Sequence, residues 1–154
     1  MKDPVPANEL ERLAELHRYA IMATPPEIAF DRITQLASRL FRTPIALLNF
    51  IADDLQWFKS CVGMQIGETP REASICNWAI LSDEVMVVPN ALADDRFSSN
   101  CFVAVENGVR FYAGAPLVTP RGFNLGVLCI IDKVPRPVVL RAKRRRRCGI
   151  WRLW

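Results

Sequence analysis

The spacing of apolar residues predicts two helices at the start of the chain. The first is expected to run from Asn8, a good N-cap, to about Ala20, with Glu11 placed as in a capping box. Its apolar stripe consists of Leu10, Leu13, Leu16 and Ala20. The second helix has the stripe Phe30, Ile33, Leu36, Ala37, Leu40 and Phe41. Such stripes usually pack against a core, although that of the first helix could also face a partner helix.

Five strands are expected in the rest of the chain, at residues 45–52, 55–62, 85–88, 109–118 and 124–132. The first and the fifth are apolar on both faces, so they need cover on both sides and should lie together at the centre of one sheet. Turns at Asp53-Asp54 and at residues 119–122 join neighbouring strands into hairpins. The sheet is therefore predicted to be antiparallel, in the order 2-1-5-4-3 when the five strands are counted along the chain.

The edges and the outer layers follow from the same pattern. The second strand carries Gln56, Lys59 and Ser60, which is typical of an edge strand, and residues 63–70 are expected to form a loop. The two helices should cover one face of the sheet, and the segments 71–82 and 92–107 the other. The predicted fold class is α+β, with helices on both faces of an antiparallel sheet.

Charge is distributed unevenly along the 154 residues. Nine of the 20 Lys and Arg lie in residues 133–154, which hold no acidic residue, so residues 1–132 carry 11 basic and all 16 acidic side chains. The body is thus acidic, and only the tail would attract nucleic acid, so no nucleic-acid partner is expected for the domain itself. No apolar run has the length of a membrane span, and no signal peptide opens the chain, so a cytoplasmic protein without membrane contact is expected.

Cysteine and histidine usage argues against a metal site and against catalysis. The five cysteines are scattered without a CxxC pair, as in reduced cytoplasmic thiols, and His17 is the only histidine. With no ligand cluster and no Ser-His-Asp or Cys-His set, neither metal ligands nor catalytic residues are predicted. Cys76, at a predicted helix start, could serve as a redox sensor, although a buried inert cysteine explains it as well.

Several segments together resemble a GAF domain, a small-molecule-sensing relative of the PAS fold. They include "PIALLNFIADDLQWFKSCVG", "TPREASICNWAI", "VVPNALADDRF" and "VRFYAGAPLVTPRGFNLGVLCIID". The subgroup resembled usually forms the N-terminal sensory module of bacterial histidine kinases and diguanylate cyclases. The resemblance implies a GAF/PAS-like sheet and a sensory or dimerising module rather than an enzyme. The subgroup's histidine is replaced by Trp78, and Phe102 follows Cys101 where bilin-binding relatives have Cys-His, so the cofactor is unknown and covalent bilin is not expected.

A ligand pocket in such a fold would lie between the sheet and residues 71–107. The predicted ligand-binding residues are Trp57, Cys76, Trp78, Asp94, Arg96, Phe97, Arg110 and Tyr112. Arg96 and Arg110 could hold a carboxylate or phosphate, or could instead pair with acidic neighbours. The aromatic residues could equally fill the core without any ligand.

The tail departs from the pattern that the resemblance implies. Residues 1–134 are expected to be a single GAF domain, and residues 135–154 either a disordered basic tail or an out-of-frame translation of the long helix that leads to an output domain in the family. The leading hypothesis is therefore a non-catalytic sensory module of bacterial signal transduction, truncated from a larger signalling protein, that binds an unidentified small molecule or mediates dimerisation. A weak homodimer through the first helix is expected. The alternatives are a redox enzyme that uses Cys76 or Cys101 and an interaction domain with a filled pocket.

Overall fold

The computed structural model describes residues 4–137. Its helices are α1 (Glu9–Tyr19), α2 (Ile28–Phe41) and the short α3 (Cys76–Ala79). Its strands are β1 (Ile45–Ile51), β2 (Leu55–Val62), β3 (Glu68–Pro70), β4 (Met86–Val88), β5 (Phe111–Val118) and β6 (Asn124–Asp132). Single 3₁₀ turns at Arg71–Ala73 and Ala91–Ala93 precede α3 and follow β4. The α+β class is confirmed.

All strand pairs are antiparallel, and the sheet order is β3-β2-β1-β6-β5-β4. The order predicted for the five strands expected from the sequence is therefore correct, and β1 and β6 form the fully buried centre of the sheet. The loop predicted at residues 63–70 is wrong at its end, because Glu68–Pro70 adds a sixth strand. This strand pairs with the first three residues of β2.

The prediction that β2 is a polar edge strand is also wrong. Gln56, Lys59 and Ser60 are all buried, because β3 covers one end of β2 and α2 packs across its face. Ser60 Oγ donates to Asp31 on α2 at 2.6 Å. The Lys59 ammonium donates to Thr24 Oγ1 at 2.6 Å and pairs with Glu27 at 2.6 Å. Polar side chains on β2 are therefore anchors for the α1–α2 connection.

Two apolar layers lie on opposite faces of the sheet. Alternate residues of β1 and β6 contribute to each, as the period of a strand requires. One layer packs under α1 and α2 and includes Leu16, Phe30, Leu48 and Ile130. The other packs under α3 and residues 91–109 and includes Leu47, Ile80, Phe97 and Cys129. The predicted three-layer arrangement is confirmed.

The buried face of each helix differs from its predicted stripe. On α1 the buried residues are Arg12, Glu15 and Leu16, whereas Leu10 is exposed. Asn8 precedes α1 but makes no side-chain capping bond, so the capping box is wrong. On α2 the buried residues are Phe30, Thr34 and Ala37, and the exposed ones include Leu36, Leu40 and Phe41. The weak homodimer expected through the first helix stays a prediction.

The end of β6 is tied to α2. Arg136 donates to the Phe41 carbonyl at 2.8 Å and to Asp132 at 2.8 Å, so it holds the chain against the C-terminus of α2. Residues 138–154, which contain most of the predicted basic tail, lie outside the described residues. The out-of-frame hypothesis stays a prediction that sequencing the gene would test.

Candidate functional site

A cavity of about 220 Å³ lies on the face of the sheet away from α1 and α2. We call it the roof cavity. Its floor is formed by side chains of the sheet, among them Ile45, Leu47, Gln56, Phe58, Tyr112, Cys129 and Ile131. Its roof is formed by residues of the connecting segments, among them Met64, Ile66, Ser74, Cys76, Phe102, Val105 and Val109. This volume is several times the roughly 30 Å³ that one water molecule occupies in the liquid, so the cavity has room for a small ligand.

The wall of the roof cavity is mostly apolar, with a few polar groups. Gln56, Thr69, Ser74 and Tyr112 supply buried polar atoms, and Lys133 is the charged residue at the rim. A largely apolar wall with a small number of placed polar groups is the usual character of a small-molecule site. The cavity therefore favours a small ligand whose surface is mainly apolar.

Two buried side chains, that of Tyr112 in the cavity wall and that of Asn49, donate to the sulfur of Cys76. The Tyr112 hydroxyl donates to Cys76 Sγ at 3.2 Å, and Asn49 Nδ2 donates to it at 3.4 Å. Cys129 Sγ lies 3.8 Å from Cys76 Sγ. All four residues are buried, and they come from α3, β1, β5 and β6.

Gly114 is required for the position of Tyr112. The two residues lie on the same face of β5, and a Cβ atom at Gly114 would overlap the Tyr112 hydroxyl and lie 2.7 Å from Cζ. The absent side chain lets the Tyr112 ring lie along the strand so that its hydroxyl reaches Cys76. The neighbouring glycine thus positions the hydrogen-bond donor.

The two thiols have opposite acidities. Burial alone would raise the pKa of Cys76, but hydrogen bonds from Cys129, Tyr112 and Asn49 stabilise its thiolate and place its pKa below the ordinary value. The bond to Cys76, together with burial, raises the pKa of Cys129 well above its ordinary value. Burial, and then the charge on Cys76, raises the pKa of Tyr112. Of the two thiols, Cys76 is therefore the more acidic and Cys129 the less acidic.

The structure places two of the eight predicted ligand-binding residues, Cys76 and Tyr112, at the roof cavity. Trp57 packs on the opposite face of the sheet, where its ring stacks with Phe50 at 6.4 Å. Successive side chains of β2 lie on opposite faces of the sheet, and the sequence pattern alone did not show which face Trp57 occupies. The ligand-binding role of the remaining residues stays a prediction.

Four predicted residues form a separate cluster away from the roof cavity. Trp78 and Phe97 pack edge to face at 5.7 Å, and the Arg96 guanidinium lies 4.8 Å from the Phe97 ring centre. Arg96 also pairs with Asp94 at 2.7 Å. The hydrogen bond from Arg96 holds the pKa of the Asp94 carboxyl below its usual range. This arrangement corresponds to the ion-pair alternative raised for Arg96.

Arg110 organises the roof rather than lining the cavity. Its guanidinium donates to the carbonyls of Val103 at 2.7 Å, Val109 at 3.1 Å and Val105 at 3.2 Å. These bonds close the irregular segment that precedes β5. The charge that the sequence suggested for a polar ligand is thus occupied by backbone oxygens.

Sequence reasoning missed Asn49, Gln56 and Cys129 at the site. Asn49 is the one polar residue in the otherwise apolar run of β1, and this was an available signal, because a fully buried amide needs partners. Its Oδ1 has no hydrogen-bond partner among residues 4–137. Cys129 resembles any other apolar residue of a central strand, so no signal distinguished it.

A second cavity, of about 560 Å³, lies on the opposite face between the sheet and the α1–α2 region. We call it the helix-side cavity. It is larger, and its wall is about as apolar as that of the roof cavity, with Phe30, Ile33, Phe50 and Leu128 among its residues and Glu27 as the charged one. The roof cavity is the stronger candidate for a specific site, because the hydrogen-bonded pair Tyr112 and Cys76 lies in its wall.

Comparison with known families identifies the fold. The family model of the GAF domain matches residues 25–147, which is most of the chain. The chain belongs to the GAF family. In this GAF domain the roof cavity lies on the side predicted from the resemblance, between the sheet and residues 71–107, although its wall extends back to Met64.

One curated relative and many solved structures resemble this GAF domain. The chain is 41% identical over 133 residues to the cyclic di-GMP phosphodiesterase PA2567 of Pseudomonas aeruginosa, covering 86% of the chain and 23% of the relative. The chain therefore spans about a quarter of that relative's length. The GAF domain of an Acinetobacter phosphoenolpyruvate-protein phosphotransferase has a TM-score of 0.59 at 14% identity, with 87% of this chain and 82% of that one covered.

A type II free methionine-R-sulfoxide reductase from Thermoplasma acidophilum has a TM-score of 0.58 at 10% identity, with 80% of this chain and 81% of that one covered. At such identities these likenesses show the fold alone. Within residues 4–137 there is no group of three or more His, Cys, Asp or Glu placed to hold a metal ion. None of the helices in this part of the chain combines the length and the hydropathy that a membrane crossing requires.

Proposed function

We propose that this GAF domain is a non-catalytic sensory module that binds a small, largely apolar molecule in the roof cavity and regulates an output domain in cyclic di-GMP signalling. The observation that carries the proposal is the roof cavity itself, an apolar space whose wall includes a few polar groups and the hydrogen-bonded pair Tyr112 and Cys76. The relationship to a cyclic di-GMP phosphodiesterase supports the signalling context. A role in a histidine kinase or a diguanylate cyclase is the alternative context.

A non-catalytic role agrees with the chemistry of the described residues. His17, the one histidine of the chain, is exposed on α1, on the other side of the sheet from the roof cavity. The two arginines predicted to bind a ligand are engaged by protein partners, Arg96 by Asp94 and Arg110 by backbone carbonyls. A cavity that offers hydrogen bonds and little charge suits recognition of a ligand more than hydrolysis of one.

The test uses two matched Val→Trp variants in a chimera. In it, residues 4–137 replace the matching segment of the Pseudomonas aeruginosa phosphodiesterase. V109W fills the roof cavity from its wall, whereas V87W places the same side chain on β4, outside both cavities. We expect the chimera to hydrolyse cyclic di-GMP at a rate that V109W changes and V87W does not.

Two further measurements complete this test. Native mass spectrometry of the wild-type chain purified from its own host should reveal a retained small molecule that V109W loses. The isolated chain should hydrolyse no cyclic di-GMP. Equal chimera activities for V109W and V87W would contradict regulation through the roof cavity, and hydrolysis by the isolated chain would contradict the non-catalytic role.

A further inference from the structure

Two buried cysteines meet in the wall of the roof cavity. Cys76 begins α3 and Cys129 lies in the central strand β6, 53 residues further along the chain, yet their sulfurs are 3.8 Å apart. Their residues are 3% and 0% exposed, but both line the cavity, which is partly open to solvent. A small reagent that enters the cavity therefore meets Cys76, and Cys129 lies at contact distance from that sulfur without being exposed itself.

The surroundings of the pair differ from those of the other described cysteines. Cys76 accepts hydrogen bonds from Tyr112 and Asn49, which favour its thiolate. Cys61 instead donates to the Ile66 carbonyl at 3.5 Å, and burial raises the pKa of Cys61. Cys101 is exposed on the surface. Among the described cysteines, only Cys76 combines hydrogen bonds that stabilise its thiolate with a second thiol at contact distance.

We propose that Cys76 and Cys129 form a reversible dithiol–disulfide site that reacts with hydroperoxides small enough to enter the roof cavity. Cys76 is the attacking thiol and Cys129 the resolving thiol. A disulfide needs the sulfurs to approach from 3.8 Å to about 2.05 Å, so roughly 1.8 Å must close. Side-chain rotation and a small shift of α3, a helix of only four residues, supply that movement. The proposal does not depend on the regulatory function proposed above.

The reaction balances in two steps. The Cys76 thiolate attacks one peroxide oxygen, the O–O bond breaks, an S–O bond forms, and the leaving alkoxide or hydroxide takes up a proton. The Cys129 sulfur then attacks the sulfenic sulfur of Cys76, an S–S bond forms as the S–O bond breaks, and the departing hydroxide leaves as water with the Cys129 proton. Two thiols lose two electrons and two protons, and the hydroperoxide is reduced to an alcohol or water. A small external dithiol reverses the change.

The first experiment isolates the pair in the full chain. The C61S/C101S/C148S variant retains only Cys76 and Cys129 and is treated with hydrogen peroxide. We expect the intact mass to fall by two hydrogens, no thiol to react with an alkylating reagent after denaturation, and dithiothreitol to restore both thiols. Gain of two or three oxygens without a disulfide, or two thiols still open to alkylation, would overturn the proposal.

The second experiment leaves both cysteines intact, so it stays informative if a cysteine variant fails to fold. In the wild-type chain, with the Cys76–Cys129 disulfide followed by peptide mapping, Y112F removes the hydroxyl that donates to Cys76, and Y19F removes one from the exposed end of α1. Loss of one hydrogen bond should slow disulfide formation by Y112F by about three- to tenfold. Y19F should react at the parent rate. Equal rates for the two variants would contradict the assignment of Cys76 as the attacking thiol.

Discussion

Replacing Arg12 by Met should lower the free energy of unfolding by about 3 kcal/mol. Arg12 is 1% exposed, and its guanidinium donates to the Ile51 carbonyl at 2.8 Å and to both carboxylate oxygens of Glu9 at 2.8 Å. Removing one partner of a buried ion pair costs about 3–5 kcal/mol. The lower end applies because Glu9 is 14% exposed and keeps its pair with Arg71.

Arg18→Met is the matched control on the same helix. The Arg18 side chain is 65% exposed and pairs with Glu15 at 3.1 Å, while Glu15 keeps a second partner in Arg121 at 2.6 Å. An exposed pair of this kind should contribute less than about 1 kcal/mol. Met preserves an apolar stem in both variants, so the comparison isolates the buried guanidinium.

Urea unfolding at neutral pH, followed by tryptophan fluorescence, measures both variants. R12M should shift the midpoint to lower urea without a change in slope, because the extent of unfolding is the same. The E9Q/R12M double variant should lose less than the sum of its single changes, since the two side chains interact directly. A difference between R12M and R18M below about 0.5 kcal/mol would refute the reasoning, because that is the usual range of surface substitutions.

Four further predictions concern the sheet, pH and association. Gly126→Ala should cost about 3 kcal/mol or more in urea unfolding, since its Cβ would overlap the backbone of β1. Burial would raise the pKa of Glu9, but hydrogen bonds from Arg12 and Arg71 outweigh it and lower this pKa below 4.5. The ionised Glu9 therefore stabilises the fold fully above pH 4.5, and this stabilisation is lost as the pH falls through the lower pKa of the folded state. Thermal unfolding of E9Q should lack this loss. Ile130→Ala should cost about 2–5 kcal/mol and the exposed control Leu40→Ala about 0.5 kcal/mol or less; equal losses would show that the two sites pack alike. Sedimentation at low micromolar concentration should show weak association, which a tight dimer would contradict.

The sequence by itself determined the centre of the sheet and hence most of its topology. Residues 45–51 and 124–132 are almost wholly apolar, and only a position covered on both faces can bury such a strand. Short turns then place the two strands of each hairpin side by side, β2 beside β1 and β5 beside β6. The pattern also predicted that the segments 71–82 and 92–107 cover the face that the two helices leave, and the resemblance to GAF domains implied that a pocket would lie on that side.

The buried face of each helix could not be obtained in this way. Leu10 fits the apolar stripe of α1 but is exposed, while Arg12 breaks the stripe and is buried. A sequence pattern ranks residues by their own polarity, whereas burial of Arg12 depends on oxygens supplied by Glu9 and by the ends of β1 and β6. Lys59 is buried for the same reason. Only the tertiary structure brings such partners together.

The candidate site was determined only in part by the sequence. Cys76 and Tyr112 were identified as residues of the cavity, but their common partner was not, because Cys129 lies 53 residues from Cys76 and resembles any core residue of a strand. The pairing depends on the register of β6 and on the placement of α3 above it, and the hydrogen bond from Tyr112 depends on the missing side chain at Gly114. Short-range pattern reveals which residues are buried; the chemistry of the buried sulfur depends on atoms that only the folded chain brings within 4 Å.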